Sequence, residues 1–231
     1  MIKKRLKYGE LNLSSINPVT RKIINNLMKS VKTSAKVDEH GGWEFGADSN
    51  GRGAVSALNW DLYDYGRDYY NKTTLIVIQV RQFERRKLSY YPQIRKNYFL
   101  IGKNEDNSVF AHSIEGRVVH NAIKRNKDVI QAVQSWIFEH DYKKVKRQGD
   151  IGLVLVRAPL GKDTGETKVV LEHSHEINAD KIYMKGEYYY ALNPMIVHYK
   201  NVHPSLDLEG WYKVVVGRRS DFWQFAAPTI D

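Results

Sequence analysis

Gln148-Gly149-Asp150-Ile151-Gly152-Leu153-Val154-Leu155-Val156 opens the last third of the chain, and the rest of that third repeats its apolar, strand-forming character. Strands are predicted over 150–157, 167–175, 181–192, 195–199 and 211–217, with a Pro- and Gly-bearing loop at 159–165 between the first two. Short strands with turns at this spacing predict a small barrel or sandwich. The same region holds His173, His175, His198 and His203, four of the chain's eight histidines. Two residues apart on one strand, His173 and His175 point their rings to one face. A neighbouring strand that carries His198 or His203 across that face completes a cluster of three or four nitrogens. Such a cluster suits a divalent metal (Zn, Mn or Fe), with Glu172 or Glu176 as general base for activated water. A polar strand face that does no chemistry accounts for the same spacing.

Gln148-Gly149-Asp150-Ile151, His173-Ser174-His175, His198 with His203, and Gly210-Trp211-Tyr212-Lys213-Val214 together carry a resemblance. The pattern resembles a family of small bacterial and phage proteins with a Gln-Gly-Asp-Val opening, a Gly-His-x-His motif and a His-rich segment before the last strand. Glu172 stands where that pattern has Gly. The resemblance covers about the last 80 residues. It implies a compact β domain and an association with phage or mobile elements, and it brings no activity with it.

Zero cysteines exclude disulfides, thiolate metal sites and a thiol nucleophile, so any metal must be held by His and carboxylate. Gly-x-Ser-x-Gly, Walker and His-Glu-x-x-His motifs are absent from the sequence. The N-terminus has neither the apolar core nor the cleavage site of a signal peptide, and no apolar run is of membrane-spanning length. A cytoplasmic protein with no membrane partner is the expectation.

Charge is the more informative property. The chain carries 36 Lys and Arg against 26 Asp and Glu, a net charge of +10. Residues 1–36 hold nine basic residues and one acidic. Two further stretches are basic: Arg81, Arg85, Arg86, Lys87, Arg95 and Lys96, then Lys143, Lys144, Lys146 and Arg147. Stretches of this kind suit a polyanion, because each neutralised phosphate releases counterions. Solvated lysine-rich surfaces have the same composition.

Asn17-Pro18 predicts a helix start, and Val19, Ile23, Ile24, Leu27, Met28 and Val31 give residues 18–32 one apolar stripe. Residues 38–59 are rich in Gly and read as loop or hairpin. Trp60, Tyr63, Tyr65, Tyr69 and Tyr70 form an aromatic cluster suited to closing a sheet rim or to stacking bases. Leu75-Ile76-Val77-Ile78 is a continuous apolar run, as in a strand covered on both faces, within a strand over 73–83. Strands at 97–102 and 108–113 are joined by Asn104–Asn107. Residues 115–140 read as helical and divided near Asn126-Lys127-Asp128, and the lone His120 on this segment reads as structural. The basic stretch 141–147 reads as a connector, and 221–225 as an apolar tail that packs back.

These signals predict an α+β protein: an N-terminal helix plus an antiparallel sheet with helices, then the small C-terminal β-barrel or sandwich. The expected segments are a basic helix-bearing segment over 1–36, an α+β region over 37–145 and a β-rich His-containing domain over 146–231. Two function classes survive. One is nucleic-acid binding through the basic stretches. The other is a metal-dependent enzyme at the histidines, a hydrolase or nuclease or a cupin-like centre.

Overall fold

A computed structural model describes residues 3–6, 9–34, 60–69, 72–84, 93–103, 109–172, 174–199 and 204–218. The chain is α+β and divides into two compact units, one running to Val133 and the other from Gln134 to Arg218. Among the described residues no helix is long and apolar enough to cross a membrane.

The first unit is built on an antiparallel meander, β1 (Trp60–Arg67), β2 (Thr74–Glu84), β3 (Gln93–Lys103) and β4 (Val109–Ile114), in that spatial order. Its central strand is covered on both faces, as the apolar run predicts: Leu75, Ile76, Val77 and Ile78 are all fully buried. Ile76, Ile78 and Val80 share one core with Leu11, Ile16, Leu62, Phe99 and Ile101 and with Ile24, Leu27 and Met28 of α1 (Pro18–Ser34). The start of α1 agrees with the sequence signal, since the Asn17 side chain accepts the Val19 amide at 2.9 Å. Its apolar stripe is narrower than expected. Val19 and Ile23 are 69% and 44% exposed. At about 100° per residue, Ile23 and Val19 lie about 100° and 140° around the helix from Ile24, beyond the arc that meets the sheet.

The opposite face of the meander meets α2 (Gly116–Lys124) and the first turn of α3 (Val129–Ile137). A Cβ on Gly66 would meet Ile130, and one on Gly116 would collide with the Tyr98 ring. The two helices separate where the sequence suggests. Asn126 takes φ +52°, the Lys127 amide closes on the Ala122 carbonyl at 2.8 Å, and the Asp128 side chain accepts the Gln131 amide to start α3. Pairing slips in β1 between Leu62 and Asp64, a β-bulge. Leu62 and Tyr65 join the α1 side of the sheet. The extra residue lets Tyr63 and Asp64 both serve the other side.

The second unit holds two sheets. One has the order β5 (Val145–Gln148), β6 (Ile151–Val156), β14 (Trp211–Val216), β11 (Tyr188–Leu192), β10 (Lys181–Lys185) and β7 (Lys162–Asp163). The other has the order β13 (Leu206–Asp207), β12 (Met195–His198), β9 (His175–Asn178) and β8 (Lys168–Leu171). Ile151, Leu153, Ala191, Tyr212 and Val214 of the first sheet form one core with Ile177 and Ile196 of the second, as in a sandwich. The basic stretch at 141–147 is no free connector: it forms a 3-10 turn, Tyr142–Lys144, and enters the sheet as β5. The run 181–192 is a hairpin, broken by Gly186-Glu187. The run 167–175 is also two strands, because Leu171 at the end of β8 pairs with His175 at the start of β9. The single strand expected to carry His173 and His175 on one face is therefore replaced by a hairpin.

Candidate functional sites

In the second unit, Gln148 pairs with Ile151 across a two-residue hairpin of Gly149 and Asp150. Gly149 has φ +55°, the left-handed backbone that so tight a hairpin demands. This turn places the Asp150 carboxylate 3.7 Å from Nδ1 of His175, whose Nδ1 also lies 3.0 Å from the Ser174 hydroxyl. His175 stands directly opposite His198 in the β9–β12 ladder, with ring centroids 4.7 Å apart and the rings nearly perpendicular. Both residues are buried, and two positions along each strand lie the core residues Ile177 and Ile196. The Gln148 amide donates to the carbonyls of Ile196 and Pro204.

Gln148, Asp150, His175 and His198 thus meet from distant parts of the sequence. His173 and His203 fall outside the described residues. Among the described residues no group of three or more His, Asp or Glu side chains is arranged to hold a metal ion. Glu176, expected as a base, lies on the strand face opposite His175 and pairs with Lys168 at 2.6 Å. The hydrogen bond from Lys168, helped by one from Asn178, holds its carboxyl below the usual range. Glu172 is exposed, at φ +48° beyond β8.

The first unit holds a second polar network, on the α2 side of its sheet. Gln79, Tyr63 and Tyr98 are all buried. The Gln79 amide donates to both phenol oxygens, at 2.9 Å to Tyr63, and the Tyr98 hydroxyl lies 2.7 Å from Nε2 of His120. The rings of Tyr63, Tyr98 and His120 contact one another edge to face. Burial, and for Tyr63 also its interaction with Tyr98, raises both phenols above the usual tyrosine value, Tyr63 strongly. Neither residue can ionise at physiological pH.

One step along the same ladder the chemistry changes from polar to cationic. Gln79 pairs with Tyr98, Lys96 follows two residues along on the face of Tyr98, and its register partner is Arg81. Arg95 stands opposite Gln82 in the register. Lys96 is exposed, as are Arg117, His120 and Lys124, which share one face of α2 at three- and four-residue spacing.

The remaining basic residues divide. Arg85, Arg86 and Lys87 lie outside the described residues. Lys143, Lys144 and Lys146 of the second unit are exposed, whereas half-buried Arg147 donates to the Tyr142 hydroxyl and the Gly149 carbonyl. Near the N-terminus, Lys3 and Arg5 pair with buried Asp64, which also accepts the first amide of α3 from Val129 at 3.3 Å. Part of the basic charge there is therefore structural. Comparison with protein-family models, with curated proteins and with solved structures finds no match.

The Gln79–Tyr98–His120 network was not anticipated from sequence. Its one signal was Gln79 inside the apolar run of β2, since a polar side chain in a doubly covered strand needs a buried partner.

Proposed function

We propose that the protein binds nucleic acid with little sequence preference, through the α2 side of its first unit. The observation that carries this reading is exposed Lys96, on the face that Tyr98 shares, with Arg81 opposite it in the strand register. Two cationic positions opposite each other in the register suit a polyanion laid across the ladder. Lys124 extends the positive surface along α2, where Arg117 is paired with Glu115, and the chain's net charge of +10 favours a polyanion as partner. Phosphate contacts supply affinity without reading bases. Binding of a short mixed-sequence oligonucleotide, measured by fluorescence anisotropy, should therefore weaken linearly in log–log form as salt is raised. Absence of binding at low salt contradicts the reading.

A second reading, a divalent-metal centre in the second unit, is favoured by the His175–His198 pair. Two imidazoles nearly in contact, one with Nδ1 beside a hydroxyl and a carboxylate, resemble metal ligands oriented through their second nitrogen. This centre needs a donor beyond the two described histidines, and His173 and His203 are the candidates in the sequence. Elemental analysis of protein purified without chelator should find zinc, manganese or iron, and His175→Ala should lose it. Metal-free protein that gains no thermal stability from any of the three contradicts this reading.

A further inference from the structure

We infer that His120 is a phosphate-contacting residue of the first unit's cationic face, presenting a neutral Nδ1–H that the buried Tyr63–Gln79–Tyr98 network fixes in place. The inference rests on the nucleic-acid reading and goes beyond it by naming a contact that carries no charge.

Donor and acceptor chemistry around Tyr98 points to the ring nitrogen that holds the proton. A phenol oxygen accepts two hydrogen bonds and donates one. The Tyr98 oxygen accepts from the Gln79 amide, a group that can only donate. Its own proton is then directed to the remaining neighbour, Nε2 of His120, 2.7 Å away. Nε2 is the acceptor, so the neutral ring carries its hydrogen on Nδ1. Tyr63 and Tyr98 hold the ring edge to face, at centroid distances of 6.0 and 5.4 Å. The network is buried up to Tyr98, which is 6% exposed, and reaches the exposed surface at His120. The bulge in β1 serves it by adding Tyr63 on this side of the sheet.

The surroundings of His120 suit an anion. On α2 it lies between exposed Lys124 and exposed Arg117, the latter paired with Glu115. On the ladder beneath, its partner Tyr98 is two residues from Lys96, on the same face. A phosphodiester held by these cations offers oxygens that the Nδ1–H can donate to. Ordering this donor before binding avoids fixing a rotating ring at the moment of contact. Tyr98 and Gln79 are positioning residues; His120 is the contact.

The test compares His120→Ala and Lys96→Ala in the full chain, each checked for retained folding by thermal melting. The probe is a short mixed-sequence single-stranded DNA. His120→Ala should weaken binding about tenfold and leave the slope of log affinity against log salt unchanged, because a neutral donor releases no counterion. Lys96→Ala should weaken binding and reduce that slope by about one. If Lys96→Ala weakens binding and His120→Ala does not, the face binds and His120 is no contact. A slope lowered by His120→Ala makes the ring a cation and overturns the inference equally. No binding by the unaltered protein removes both this inference and the reading beneath it. Independently of any ligand, nitrogen NMR of the unaltered protein should show His120 protonated at Nδ1, and Tyr98→Phe should release it to a mixture of tautomers. Protonation at Nε2 in the unaltered protein overturns the inference.

Discussion

Gly161 shows how narrowly single residues constrain this chain. Its φ is +94°, and a Cβ there would lie 2.0 Å from the Met184 carbonyl oxygen of β10. Neither the backbone angle nor the sheet partner can yield cheaply. Gly161→Ala should lower stability by about 1–3 kcal/mol, read from urea unfolding. Tyr63 constrains the fold through its proton. Burial first, then its interaction with Tyr98, raises its folded-state pKa above the unfolded value. The corresponding stability is complete below the ordinary tyrosine value near pH 10 and is lost as pH rises beyond it. The urea midpoint should fall steeply above about pH 10, and more gently in Tyr63→Phe. A pH response unchanged by that substitution places the loss elsewhere.

At the scale of elements, the caps and apolar periods were the most legible features. Asn17 announced α1 and caps it, so Asn17→Ala should cost about 1 kcal/mol, measured by thermal unfolding. The division of α2 from α3 was readable at Asn126-Lys127-Asp128, and the run 75–78 correctly implied a strand with both faces covered. Register was not readable. Nothing local marks that Leu171 pairs with His175, so the sequence reads as one strand where the structure has the β8–β9 hairpin. The same gap hid the pairing of His175 with His198, and of Arg81 with Lys96. Which residues face each other across a ladder is decided by turns and by burial far along the chain. The bulge at Tyr63 was equally invisible, since one extra residue leaves no trace in an aromatic-rich stretch.

Across the whole molecule, chemistry is distributed between two units, each with its own core and its own buried polar network. The basic sequence stretches, uniform in composition, sort by structure into different roles. Lys3, Arg5 and Arg147 serve internal contacts, while Lys96, Lys143, Lys144 and Lys146 are exposed. Charge alone therefore does not locate an interface; the one proposed lies on the first unit's ladder. The most direct measurement compares Arg81→Ala/Lys96→Ala with Lys143→Ala/Lys144→Ala for binding to a mixed-sequence oligonucleotide across a salt series. Each pair of substitutions removes the same charge. The first pair should lower the log–log salt slope by about two and weaken binding at low salt, while the second should leave both nearly unchanged. Equal loss from the two pairs, or loss from the second alone, would contradict an interface on the first unit's ladder.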